Sequence, residues 1–414
     1  MRRNHLIGKM TGVLAAFLIL FMAAGIAEEE RTDAGGQWKY VLADGGAVIT
    51  GYAEAPRGDL LIPGALDGVP VTGIGFAAFE LCDAILSVAF PDSLISIGES
   101  AFWGCSGLTR VIIPEQVTNI GKNPFACSSV KDIDVSSANP AYAQAGGVLF
   151  DKTLTTLLSY PAGRTGAYSI PEGVLHIGEA AFEGCAGLTA VTIPDSVTTL
   201  GDEAFESCTG LSSVIIPDSI THIGSHAFHG CGGLTAVTIP DSITDIGDCA
   251  FYDCSGLTGV DIPSGVTSIG FYAFAGCSGL TGVTIPAGVA YVDDGVFYRC
   301  GGLTSVTLPD SVTEIRSYAF YQCAKLADIT IPASVTSIAR NAFDGCTGLT
   351  ALAVPANVND IGEFAFKDCE NLTLVVAEGG YAEQYAKENG VPYTYGAAEE
   401  ERTDASGHFT AARA

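Results

Sequence analysis

The chain has 414 residues, of which 48% are hydrophobic, so it can bury a large apolar interior. Its 46 acidic residues exceed its 19 basic residues, which gives a formal net charge of −27. Because like charges repel, this balance makes nucleic acid and anionic lipid surfaces poor partners.

Residues 1–27 have the features of a secretion signal. Three basic side chains precede residues 13–24, an apolar stretch too short to span a bilayer comfortably. Residues 25–27 have the small-x-small form of a cleavage site. An uncleaved membrane anchor is the alternative. We predict export to the cell surface or exterior, without membrane insertion of the mature chain.

Residues 28–36 form a linker that nearly recurs at residues 399–407, as if a second module were to follow. After the linker, residues 38–42 and 47–52 favour two strands around a turn at Asp44-Gly45-Gly46. A hairpin here would cover the open end of a stack of repeats, as terminal repeats must.

Cysteine recurs every 23 residues from Cys185 to Cys369, with Phe three residues before it and Leu three residues after it. A fixed period of this length indicates a solenoid, in which each unit buries its apolar side only by stacking on its neighbours. Each unit reads as a half-buried strand ended by Pro, a second short strand, and a short turn of helix that carries Phe inward. The fold class is therefore a β-rich solenoid with parallel stacked strands.

The period breaks between Cys127 and Cys185, where residues 147–161 suggest a hairpin added to one edge. Residues 381–389 favour a helix, with Gly390 as its C-terminal cap. The predicted organisation is a signal peptide at 1–27, a linker at 28–36, an N-terminal cap at 37–67, repeats at 68–127, an irregular repeat with the insertion at 128–184, repeats at 185–377, a C-terminal cap at 378–395 and a disordered acidic tail at 396–414.

Export normally favours disulfides, but the repeat geometry argues against them. Cysteines one repeat apart stand in one column with parallel Cβ vectors at about 4.8 Å, whereas a disulfide needs converging vectors at roughly 3.5–4.5 Å. We predict buried free thiols. Cys249 lies outside the column and is the one thiol whose reactivity merits a test, although an inert side chain is the simpler interpretation.

The unit Ala273–Pro286 has the sequence Ala-Phe-x-Gly-Cys-Ser-Gly-Leu-Thr-x-Val-Thr-Ile-Pro and resembles the BspA-type leucine-rich repeat. The hairpin insertion and the Tyr-Ala-Glu-Gln-Tyr-Ala ending are similar to that family too. The resemblance implies a secreted or surface protein of a bacterium or protist, and some family members act as adhesins. It implies no catalytic residues.

The strand face of the repeats is rich in Thr and Ser and offers no convergent charges or aromatic rings for a small ligand. Aromatic residues collect instead beside the Phe column, where stacking would align Tyr252, Tyr298 and Tyr321, with Ala275 interrupting them. Tyr and Arg mark interfaces, although these tyrosines could equally shield the edge of the solenoid. The predicted ligand-binding residues are Tyr252, Tyr272, Tyr298, Arg299, Tyr318 and Tyr321.

Metal sites and catalytic sites are disfavoured. His222, His226 and His229 fall within one repeat, but no further ligand joins them. Asp195 and its counterparts one and two repeats later form a column that ends at Ser264, which favours turn capping over calcium. No nucleophile motif or phosphate loop is present. We predict no metal, no cofactor and no enzyme activity.

Three functions remain open. The first is a surface or secreted binding protein, whose partner is a host or microbial protein or a glycan. The second is a structural spacer that displays another module, suggested by the recurring linker. The third is the non-catalytic part of a secreted enzyme.

Overall fold

The computed structural model describes residues 29–43 and 45–396. The predicted signal peptide, nearly all of the predicted tail and the second copy of the linker lie outside the described residues. The chain divides into two compact units, one up to Thr153 and one from Leu154. Short strands joined by turns build both units, and no helix among the described residues is long and apolar enough to cross a membrane.

Pairs of short strands build the first unit. Its strands are β1 Arg31–Thr32, β2 Trp38–Ala43, β3 Gly46–Tyr52, β4 Gly58–Leu61, β5 Ala65–Leu66, β6 Val69–Ile74, β7 Ile85–Ala89, β8 Ser96–Ile97, β9 Arg110–Ile113, β10 Asn119–Ile120, β11 Asp132–Val135, β12 Tyr142–Ala145 and β13 Val148–Asp151. β1, β2 and β3 pair antiparallel, which places the expected hairpin at the start and adds part of the linker segment to its sheet. β3, β6, β8 and β10 then pair in parallel, as do β4 with β7 and β9 with β11.

The inserted hairpin begins earlier than the sequence suggested. Its arms are β12 and β13, which pair antiparallel from Tyr142↔Asp151 to Ala145↔Val148. Gly146 and Gly147, with φ of 58° and 77°, form the turn, a conformation that suits glycine and closes a two-residue hairpin. The two segments that the sequence suggested are both strands, β13 and Thr156–Ser159, whereas β12 was not predicted because it has no strong strand pattern.

The second unit continues the repeat and ends in a helix. Its elements are β14 Thr156–Ser159, β15 Gly166–Ser169, β16 His176–Ile177, β17 Leu188–Thr192, β18 Thr199–Leu200, β19 Ser213–Ile215, β20 His222–Ile223, β21 Ala236–Thr238, β22 Asp245–Ile246, β23 Ser268–Ile269, β24 Gly282–Thr284, β25 Tyr291–Val292, β26 Ser305–Thr307, β27 Glu314–Ile315, β28 Asp328–Ile329, β29 Ser337–Ile338, β30 Ala351–Ala353, β31 Asp360–Ile361, β32 Thr373–Val376, α1 Tyr381–Asn389 and β33 Tyr393–Tyr395. Register partners such as Ser213↔Ala236 stand one repeat apart in parallel strands. Gly390, with φ of 68°, ends α1 as predicted.

The Phe column forms the core of the second unit. From Phe182 to Phe366 the rings stack with centroids 4.7–5.9 Å apart and planes within 18° of parallel. Tyr385 of α1 meets the last ring edge-on at 6.0 Å and so covers the open end. The β-rich stacked solenoid predicted from the period is confirmed.

The turns beside the Phe column contain two residues with positive φ, one two positions before Phe and one two positions after it. Around Phe205 these are Glu203 (57°) and Ser207 (59°). A right-handed helix cannot pass through such residues, so the predicted short turn of helix is wrong. The N–H groups of all three residues instead donate to carbonyl oxygens of the next repeat at 2.7–2.8 Å, which adds a further backbone ladder to those of the strands.

This backbone geometry predicts a reciprocal pair of stability changes. Gly184, Gly230 and Gly276 occupy the same column as Ser207, all with φ near 71°. A left-handed conformation costs an L-residue about 1–2 kcal/mol, and the extra unfolded-state freedom of glycine offsets about half of that. Ser207→Gly should therefore raise the free energy of unfolding by about 0.5–1 kcal/mol.

The reverse change, Gly230→Ser, should lower the free energy of unfolding by a similar amount. A Cβ at Gly230 would meet nothing closer than the Ser207 Oγ at 3.4 Å. The change in stability therefore reports the cost of the left-handed backbone and not a steric clash. Urea denaturation of both variants measures the pair. Changes of the same sign would show that φ does not decide the preference at this column.

The thirteen cysteines carry free thiols. From Cys208 to Cys369 each Sγ of the column donates to the carbonyl oxygen of the Phe in the preceding unit, as from Cys277 to Phe251 and from Cys254 to Phe228, both at 3.1 Å. Burial raises the pKa of Cys300 to about 12 and raises the pKa of Cys277 well above that of a free thiol. The column therefore behaves as a set of small apolar groups with one weak hydrogen bond each.

Removing one ring of the column should destabilise the second unit strongly. Phe274 has no exposed surface, and its ring lies 5.3 Å from that of Phe251 and 5.9 Å from that of Phe297. Because the rigid ladders cannot close the cavity, Phe274→Ala should lower the free energy of unfolding by about 3–5 kcal/mol. Phe271→Ala is the matched control, since Phe271 is 46% exposed and should change stability by less than about 0.5 kcal/mol. Equal losses in urea denaturation would contradict the stacked-column account.

Candidate functional site

The strand face of the second unit uses its polar groups within the stack. Thr235, Thr281 and Thr304 are exposed, as expected, and the Oγ1 of each donates to a backbone carbonyl of the preceding repeat at 2.8–3.2 Å. These hydroxyls are therefore engaged by the fold. Among the described residues of this face, charged groups and aromatic rings are not gathered into a recognisable site.

The predicted tyrosines come together in one cluster, which we call the tyrosine ridge: Tyr252, Tyr272, Tyr298, Tyr318 and Tyr321. Ring centroids are 6.5 Å apart for Tyr252 and Tyr272, and 5.6 Å apart for Tyr272 and Tyr298. Tyr298 and Tyr321 stack at 4.9 Å with planes 8° apart. Tyr318 meets both of these rings edge-on, at 6.4 and 5.7 Å. All five side chains are half-buried, so the cluster is a continuous part of the surface.

Tyr272 fills the place that Ala275 leaves in the ridge. Its ring contacts the tyrosine rings on either side of that gap, so the predicted interruption does not break the cluster. Gly295 makes this possible, because a Cβ at that position would lie 2.4 Å from the Cε1 of Tyr272. Gly295 stands in the same column as Tyr272 and Tyr318, and the sequence analysis did not recognise its role.

Arg299 lies beside the ridge and is exposed. Its guanidinium carbon is 5.1 Å from the centroid of the Tyr298 ring, and its Nε donates to the Oε1 of Gln322 at 3.2 Å. Burial raises the pKa of Tyr252 and of Tyr272, so both stay protonated at neutral pH. Tyr252 and Tyr272 therefore contribute neutral phenols to the ridge, and Arg299 adds a permanent cation.

Three aromatic residues of this region hold backbone conformations that bulky side chains rarely adopt. Tyr272, Tyr318 and Phe364 have φ of 55°, 60° and 61°. Phe364 is 40% exposed, and the cations of Arg340 and Lys367 lie 5.9 and 5.7 Å from its ring centroid. Phe364 was not predicted from the sequence, although it stands in the column of Tyr318 two repeats later.

At its other end the ridge meets a histidine pair. The ring of His229 lies 5.1 Å from Tyr252 and 5.5 Å from His226. Its Nδ1 is 3.5 Å from the Oε1 of Glu206, which is almost fully buried. His222 lies apart on β20 and is exposed. Within residues 29–43 and 45–396, no group of three or more His, Cys, Asp or Glu side chains is placed to hold a metal.

Two further candidates from the sequence have structural explanations. In the Pro-Asp-Ser turns it is serine that links the repeats, since the Oγ of Ser196 donates to the Val174 carbonyl at 2.8 Å while Asp195 is exposed.

Burial, with smaller effects from Asp248 and Glu206, raises the pKa of Cys249 to about 11. This thiol is therefore protonated at neutral pH, which disfavours its reaction as a nucleophile.

The repeat identifies the family. A family model described as the BspA type leucine rich repeat region matches in six copies, over residues 69–156, 165–281 and 267–381. The chain belongs to this family. The tyrosine ridge lies within the matched residues of this BspA-type protein.

Solved structures agree with this assignment. A leucine-rich repeat protein from Bacteroides ovatus is 26% identical over 87% of this chain and 98% of its own, with a TM-score of 0.54. A leucine rich cell surface protein from Faecalibacterium prausnitzii is 26% identical over 90% of this BspA-type chain and 100% of its own, with a TM-score of 0.43. The first of these supports the stacked-turn fold. No curated protein gives a significant match.

Proposed function

We propose that this BspA-type chain is an exported protein, secreted or held at the cell surface, that binds a protein or glycan through its tyrosine ridge. The observation that carries the proposal is the ridge: five half-buried tyrosines in mutual contact, beside the exposed Arg299. Tyr and Arg combine contact area with hydrogen-bonding groups, and they dominate the energy of many protein interfaces.

Backbone strain supports a role beyond packing. Tyr272 and Tyr318 occupy left-handed positions at a cost of about 1–2 kcal/mol each, where Gly295 stands in the repeat between them. Every repeat of the second unit holds this position at positive φ, and smaller residues such as Ala180 and Cys249 occupy it elsewhere. The backbone therefore does not require a bulky side chain here, which favours a surface role for the two tyrosine rings.

The arrangement of the repeat supports binding over catalysis. Its recurring Phe, Cys and Leu positions are buried and hold the stack together. The charge and hydropathy pattern of residues 1–27 supports export. Adhesion to host or microbial proteins or to glycans is the function that fits an exported, ridge-bearing repeat protein.

An array of extracellular-matrix proteins and glycans, probed with residues 28–414, tests the proposal. We expect at least one ligand to be bound by the native chain and lost when Tyr252, Tyr298 and Tyr321 are replaced by Ser. Binding that survives this replacement would place the site elsewhere on the molecule. An array without any ligand would favour the spacer function.

A further inference from the structure

Arg340 provides a second cation beside the tyrosine ridge. The backbone N–H of Tyr318 donates to the Arg340 carbonyl at 3.1 Å, so the two residues are neighbours in adjacent repeats. The Nε of Arg340 donates to the Oδ1 of Asn341 at 3.1 Å, and its guanidinium faces the Phe364 ring. Its side chain is exposed. Arg299 therefore lies beside Tyr298, and the exposed Arg340 lies in the repeat that follows Tyr318.

Both of these arginines contact neutral groups within the described part of the chain, namely tyrosine, phenylalanine and amide side chains. Arg316, in the same repeats, behaves differently and pairs with Asp293 at 3.1 Å and Glu314 at 3.2 Å. Carboxylates are abundant nearby, since residues 165–298 contain 15 Asp and Glu but no Lys or Arg. Within residues 29–43 and 45–396, the contacts of Arg299 and Arg340 include no carboxylate, although carboxylates are abundant in this part of the chain.

The rings of the ridge leave electropositive groups for a partner. Tyr298 and Tyr321 cover one face of each other by stacking, and Arg299 lies over Tyr298. A sugar ring would need open aromatic faces, and the stacking of Tyr298 on Tyr321 leaves each of these two rings at most one such face. Ring edges carry positive partial charge, and phenol O–H groups donate hydrogen bonds. A partner surface rich in carboxylates would complement these groups, because carboxylate oxygens accept hydrogen bonds from hydroxyl and guanidinium groups.

We infer that the tyrosine ridge binds an acidic peptide segment of a partner protein, whose carboxylates pair with Arg299 and Arg340. The inference rests on the proposed function and names the chemistry of its partner. The net charge of −27 repels such a partner at a distance. Screening limits that repulsion to about 8 Å at physiological salt, so the two arginines decide the contact itself.

Short labelled peptides of alternating Glu and Ser, Gln and Ser, or Lys and Ser test this inference by fluorescence anisotropy with residues 28–414. The Glu peptide should bind more tightly than the Gln peptide. Arg299→Gln combined with Arg340→Gln should weaken the Glu peptide by about tenfold or more, because each arginine loses a charge-assisted pair. The same variant should not weaken the Lys peptide.

The matched control is Arg110→Gln combined with Lys325→Gln, which removes two exposed positive charges outside the ridge. It should leave Glu-peptide binding unchanged. Equal binding of the Glu and Gln peptides, equal losses in the two variants, or no binding of any peptide would overturn the inference. So would binding of a sulfated polysaccharide in place of the Glu peptide. An array ligand whose binding requires the tyrosines but not the two arginines would support the proposed function and refute the acidic partner.

Discussion

Raising the pH from about 8 to about 10 in the presence of a reducing agent should unfold the second unit. Seven thiols, from Cys208 to Cys346 in steps of one repeat, are buried, and burial raises the pKa of each one. Unfolded thiols titrate near pH 8.5, so above that pH the unfolded chain loses protons that the folded chain keeps. The stabilisation is fully present below about pH 8.5 and falls as the pH rises towards the raised pKa values.

Each such thiol lowers the free energy of unfolding by about 1.4 kcal/mol per pH unit, and seven lower it by about 10 kcal/mol per pH unit. The whole stability of a typical domain is about 5–15 kcal/mol, so this loss should decide the transition. Far-UV circular dichroism against pH measures it. Cys254→Ala combined with Cys277→Ala and Cys300→Ala should lower by three the number of protons released on unfolding, so the free energy of unfolding should fall less steeply with pH. An unchanged slope would assign alkaline unfolding to lysine or tyrosine instead.

The stack could be predicted because every repeat places the same residue types at the same positions. One column of buried Phe, such as Phe182 to Phe366, requires the register that the structure shows. The turns could not be predicted in the same way. Glu203 and Ser207 give no signal of positive φ, since this preference comes from the ladder between repeats and not from the residues themselves.

The ridge was predictable as a column but not as a packed cluster. Register alone places Tyr252, Tyr298 and Tyr321 in line, whereas the ring of Tyr272 closes the gap only because Gly295 leaves space for it. That contact depends on a side-chain direction, which spacing does not specify.

The extension to Phe364 was hidden for a related reason. Between Tyr318 and Phe364, the same column holds Asn341, which is buried and donates from its Nδ2 to the Asp344 Oδ2 at 2.6 Å. One polar repeat therefore interrupts the aromatic pattern in the sequence. The cations of Arg340 and Lys367 nevertheless gather at the exposed ring beyond it.

Replacing Tyr252, Tyr298 and Tyr321 by Ser should abolish micromolar binding of a ridge ligand. Tyrosines buried in an interface contribute about 1–2 kcal/mol or more each, so three of them change the dissociation constant by more than about a hundredfold. The fold should lose less, because all three side chains are half-buried and only Tyr298 and Tyr321 give up a parallel stack, worth about 0.5–1.5 kcal/mol. Titration calorimetry and thermal melting of the same samples measure the two effects.

The matched control for this prediction is Leu175→Ser combined with Ile215→Ser and Tyr381→Ser, three exposed apolar side chains of the second unit outside the ridge. It removes comparable apolar surface and should leave binding intact. If binding uses a localised interface, only the ridge variant loses it. If binding depends on the total exposed apolar surface, both variants lose it to a similar extent. If the ridge variant unfolds, or if it binds as tightly as the control, the tyrosines shield the turn edge and the ligand-binding surface lies elsewhere.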